Sequence, residues 1–86
     1  MPYNFTQTLE PYGSAPEAGR VHIDPAARYG YWEHRNGVEG GGLWFAPSET
    51  SRALELIDFD GWYMLPRKVV AALRAAGYEL DETFDD

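Results

Sequence analysis

The chain has 86 residues, no cysteine and a formal charge of −7, from 14 acids against 7 bases. That length makes one domain, 1–86, and the missing thiols exclude a disulfide staple, a thiolate nucleophile and a cysteine metal site. No apolar run approaches the ~20 residues of a membrane span, and no basic segment leads into an apolar one at the N-terminus, so the expected location is the cytoplasm.

A chain this short buries only about 60–65% of its unfolded surface, so its stability depends on a dense core. Three Trp, six Tyr and four Phe can supply that density. Charge is gathered at one end. Residues 79–86 hold five acids and no base, whereas the other 78 residues hold nine acids and seven bases. No basic stripe is present to meet phosphates, which disfavours direct nucleic-acid binding. A basic protein partner is electrostatically allowed. The plain reading of 79–86 is a solvated acidic tail that aids solubility.

Residues 1–20 carry Pro2, Pro11, Gly13, Ser14, Pro16 and Gly19 and read as a loop-rich arm. Val21-His22-Ile23 suits a short strand stopped by Asp24-Pro25. Asn36-Gly37 is a strong hairpin signal, because both turn residues must take positive φ. A two-residue loop there sets Trp32 opposite Gly41, Tyr31 opposite Gly42 and Gly30 opposite Leu43. Glycines 40–42 are weak strand formers, and aromatic rings lying over them offset part of that loss. The same register sorts Trp32, Leu43 and Phe45 onto a core face and Tyr29, Tyr31 and Trp44 onto the other, beside Glu33 and Arg35. Ala46 to Arg52 reads as a polar connection in which Ser48, Thr50 and Ser51 can open a helical turn.

Leu54 to Ile57 suits a buried strand, and Asp60-Gly61 reads as a second hairpin turn, pairing Phe59 with Trp62 and Ile57 with Met64. Pro66 fits a first helical position and Gly77 the residue just past the helix end. Between them Val69, Leu73 and Ala76 form an apolar stripe widened by Val70 and Ala72. Tyr78-Glu79-Leu80 can add a short strand. The expected fold is α+β: a small antiparallel sheet of three to five strands with one C-terminal helix packed on a face.

Few residue patterns carry chemistry. Leu56-Ile57-Asp58-Phe59-Asp60-Gly61 resembles the first motif of haloacid-dehalogenase-type phosphatases. That resemblance implies a nucleophile at Asp58, a general acid/base at Asp60 and Mg²⁺. The motif's usual Thr is Trp62 here, and 25 residues follow Gly61, too few for that family's sheet and later acidic motif. A calcium loop counted from Asp58 reaches Val69 at its twelfth position, where the bidentate Glu should stand. His22, Asp24 and His34 are scattered histidines and a carboxylate that no spacing ties together.

The wider pattern of 54–77 resembles segments of small acidic uncharacterised proteins of bacteria and phages, a group that includes anti-CRISPR inhibitors. The resemblance implies no chemistry. The resulting expectation is a non-enzymatic protein-binding module without cofactor or metal. Tyr29, Tyr31 and Trp44 are its candidate anchors, and Asp81, Glu82, Asp85 and Asp86 are candidate steering charges toward a basic partner surface. A phage-encoded inhibitor of a nucleic-acid-binding defence complex is one form of it. The alternatives are a metal-dependent phosphohydrolase-like site at Asp58/Asp60 and a structural homodimer through the aromatic face.

Overall fold

The computed structural model describes residues 7–9, 19–34, 39–61 and 64–80. They form six strands and one helix in the order β1 (Gln7–Thr8), β2 (Arg20–Asp24), β3 (Tyr29–His34), β4 (Glu39–Pro47), β5 (Leu54–Phe59), α1 (Arg67–Ala75) and β6 (Glu79–Leu80). All six strands belong to one sheet whose spatial order equals the sequence order. The first four pairings are antiparallel, and β6 runs parallel to β5. The fold is therefore α+β with a mostly antiparallel sheet. The strand count exceeds the expected three to five because β1 and β6, of two residues each, extend both edges.

The β3–β4 register follows the expected one: Tyr29 faces Trp44, Gly30 faces Leu43, Tyr31 faces Gly42 and Trp32 faces Gly41. The Asn36-Gly37 turn itself lies outside the described residues. Trp32 and Leu43 are completely buried and Phe45 nearly so, which bears out the core face. The β2–β3 connection had no glycine to announce it. Asp24 accepts from the Ala27 amide, Arg28 N donates to Pro25 O, and Arg28 takes a φ of 55°. An Asp at the start of such a turn satisfies the backbone locally, as Asx turns do.

The second expected hairpin is corrected. Met64 lies at a bend and outside any strand, and β6 takes the flank of β5 at Glu55 and Leu56. A parallel partner needs a crossover, and α1 supplies it. Trp62 lies outside the described residues. Ile57 is also not part of an apolar face. Trp44 opposes Asp58 while Phe45 opposes Leu56, so Ile57 is the extra residue of a β-bulge and is 55% exposed. The polar connection 48–53 forms bends and no helical turn: Thr50 N donates to Ser48 Oγ and Ala53 N to Ser51 Oγ. Hydroxyls used in this way compete with helix.

Helix α1 starts at Arg67, within one residue of the expected start at Pro66. Pro66 is its N-cap, with φ −57° and an extended ψ of 142°, and its carbonyl accepts from Val69 N and Val70 N. At the other end Gly77 has φ 96°, Gly77 N donates to Arg74 O and Tyr78 N to Leu73 O. That pair of bonds is a Schellman motif. Val69, Val70 and Leu73 are buried, but Ala76, which is the C-cap residue, is exposed. These helix residues join Leu9, Val21, Ile23, Trp32, Leu43, Phe45, Leu56 and Leu65 in one core, with Tyr78 tilted against Phe45 at 5.2 Å between ring centres. Burial raises the Tyr78 phenol above its ordinary value. No helix among the described residues is long and apolar enough to cross a membrane.

Candidate functional site

Strand alternation sends every second side chain of β2, β3 and β4 to the face opposite the core. The pairings line them up in rows. Asp24 opposes Tyr29, Tyr29 opposes Trp44, and Trp44 opposes Asp58, giving one row across four strands. The next row runs from Thr8 through His22 and Tyr31 to Gly42, and the third from Arg20 through Glu33 to Gly40.

The three candidate aromatics thus fall together on this outer face, each half-buried. Tyr29 and Trp44 meet edge to face, with centroids 5.4 Å apart and planes at 68°, the arrangement that ring quadrupoles favour. Their rings close over Gly42, where an added Cβ would lie 2.8 Å from the Trp44 ring and 2.9 Å from the Tyr29 hydroxyl. The Tyr31 hydroxyl stands over Gly40 in the same way, 3.0 Å from where a Cβ would be. Rings therefore cover the glycine run on this side.

On the core side the main chain of Asp60 and Gly61 does that covering. A Cβ on Gly41 would overlap the Asp60 carbonyl, and one on Gly61 would overlap the Gly40 carbonyl. Gly61 has φ 103°. The contact is held by three hydrogen bonds. Asp60 N donates to Gly42 O at 3.0 Å, Trp32 Nε1 donates to Asp60 O at 2.9 Å, and Gly42 N donates to Asp60 Oδ1. The Asp60 carboxylate is committed to the backbone of β4. Asp58 sits on the outer face, exposed, accepting from Phe59 N at 2.9 Å. Among the described residues no three metal-ligating side chains converge. His34 stands at the far end of β3, opposite Glu39.

A hydrogen-bonded chain that no local pattern announces crosses β1, β2 and β3. Thr8 Oγ1 lies 3.1 Å from His22 Nδ1, and His22 Nε2 lies 3.2 Å from Glu33 Oε1. A carboxylate can only accept, so Nε2 carries the proton, and in the neutral ring Nδ1 is then the acceptor of the threonine hydroxyl. That polarity matches a nucleophile–base–orienter relay. However, the amide of Leu9, next to Thr8, donates to Val21 O in the β1–β2 ladder, so it is not available to an oxyanion. The chain acts as a strap that ties the short edge strand to the sheet.

A second polar knot joins the 48–53 connection to β6. Glu79 accepts from Ser48, Thr50 and Ser51 hydroxyls. The Ser51 hydrogen bond, above all, lowers the Glu79 carboxyl below its ordinary value. Residues 81–86, with Asp81, Glu82, Asp85 and Asp86, lie outside the described residues, as does Arg35. Comparison with family models, with curated proteins and with solved structures gives no significant match for this chain.

Proposed function

We propose that the chain is a small non-enzymatic module that binds a protein with a basic surface. One observation carries this reading. Helix α1 packs on one face of the sheet, and the other face gathers Tyr29, Tyr31 and Trp44, half-buried, with the exposed carboxylate of Asp58 at one side and the half-buried one of Glu33, shared with His22, at the other. Half-buried aromatics supply contact area at small entropic cost, and carboxylates around them select a cationic partner. The acidic residues of 79–86 add long-range attraction of the same sign. An inhibitor that occupies a nucleic-acid-binding protein of a host defence complex is one concrete form, since such proteins present basic surfaces.

The test is affinity capture from a bacterial lysate with the full chain and with Tyr31→Ala and Trp44→Ala. A single basic partner retained by the parent and lost by folded variants supports the reading. Capture that ignores both substitutions rejects it. Light scattering separates it from the structural homodimer, in which the aromatic face would be covered by a second copy.

A further inference from the structure

We infer that Trp44 and Asp58, with Tyr29 packed against the indole, form a seat for an arginine side chain of the partner protein, an inference that rests on the protein-binding reading and refines it. In the row Asp24–Tyr29–Trp44–Asp58 neighbouring main chains are one strand spacing, ~4.8 Å, apart; Asp24 is buried and accepts from Ala27 N, so the exposed carboxylate beside the rings is that of Asp58. The edge-to-face packing of Tyr29 on Trp44 holds the indole at a fixed tilt over Gly42, where the missing side chain leaves room for the rings to settle. A cation over an indole face is attracted by its quadrupole.

The carboxylate supplies direction. Asp58 stands directly across from Trp44, is exposed, and spends one oxygen on Phe59 N, and among the described residues no Lys or Arg forms an ion pair with it. The bulge at Ile57 lies next to it and re-aims this part of β5. A planar guanidinium can stack on Trp44 and still present its N–H fork edge-on to Asp58, whereas a lysine ammonium can satisfy one of these contacts at a time. The site is thus matched to arginine by shape as well as by charge. Phosphate groups are repelled by the same Asp58 carboxylate.

The probe is a blocked Gly-Arg-Arg-Gly peptide, titrated into the full chain while the Trp44 indole N–H and the backbone amides are followed by NMR. Trp44→Phe assigns the indole signal. The expected result is a saturable shift of Trp44, Tyr29 and Asp58 at millimolar peptide. Citrulline in place of arginine should abolish it, and Asp58→Asn should weaken binding about tenfold, as loss of one charge-assisted hydrogen bond does. Shifts of equal size with the citrulline peptide overturn the inference, as do shifts confined to residues 81–86. A lysine peptide that binds as tightly overturns the choice of a guanidinium. If the arginine peptide causes no shift while Trp44→Ala still releases the captured partner, the seat is wrong and the protein-binding reading survives. If the peptide seats as described but capture ignores Trp44, the reading of function fails instead.

Discussion

The glycines show how much a single hydrogen atom decides at this scale. Gly41 is held against the Asp60 main chain, so a methyl there meets backbone that cannot rotate away. Gly77 has φ 96° and open space around its Cα. Gly41→Ala should therefore cost more than ~2 kcal/mol, the range of overpacking with a backbone shift. Gly77→Ala should cost only the ~1 kcal/mol of a left-handed alanine. Urea denaturation of both variants checks the order, and equal losses would place the Asp60–Gly61 contact wrongly. Glu79 gives a second residue-scale expectation. Its folded-state value lies below its unfolded one, with the Ser51 hydroxyl as the main cause. The tie to 48–53 is thus complete above the ordinary glutamate range and is lost as pH falls through the lowered value. The Ala53 amide, which donates to Ser51 Oγ, should exchange faster with solvent in acid, allowing for the intrinsic rate. In Glu79→Gln that pH dependence should vanish.

At the scale of elements, helix α1 rests on one buried stripe. Leu73 is completely buried, and its carbonyl also receives the Tyr78 amide. Leu73→Ala should lose ~2–4 kcal/mol by thermal or urea unfolding, as large-to-small core changes do. A loss under ~0.5 kcal/mol would mean that the stripe faces solvent. This helix was legible in the sequence because Pro66 and Gly77 bracket it with opposite backbone needs. The β3–β4 register was legible because the Asn36-Gly37 dipeptide admits few loop lengths, and with it came the grouping of Tyr29, Tyr31 and Trp44. The turn before Tyr29 was not legible, since Arg28 takes a positive φ where glycine or asparagine usually stands. Asp60-Gly61 misled for a related reason. The glycine serves close packing against Gly40 and Gly41, and Met64, the expected partner of Ile57, joins no strand. The Thr8–His22–Glu33 strap draws on residues 11 and 14 positions from the histidine, so only strand pairing reveals it.

For the molecule as a whole, the proposed function separates short-range from long-range contributions. Trp44→Ala or Tyr31→Ala should mainly speed dissociation from a captured partner, by ~2 kcal/mol or more if either ring is a hot spot. Deleting 81–86 should slow association and flatten its dependence on salt, because exposed charges are screened within ~8 Å at physiological ionic strength. Stopped-flow or surface-plasmon kinetics at two salt concentrations distinguish the two effects. Circular dichroism of each variant must show the parent fold. A Trp44→Ala variant that unfolds would assign the ring to structure, and identical kinetics for all variants would place the interface elsewhere.

Spatial order equal to sequence order also governs how the chain reaches this fold. Each strand from β1 to β5 can add to the one synthesised just before it, so the loops closed are short and their entropy cost is small. Only the last pairing, β6 on β5, must wait for a helix to cross over. Folding should therefore be fast for a sheet protein. Substitutions in the β3–β4 hairpin should slow folding, whereas those in α1 and β6 should act mainly by speeding unfolding. Chevron plots for Leu43→Ala and Leu73→Ala, one from each end of this sequence of events, would show a lowered folding limb for the first and a raised unfolding limb for the second.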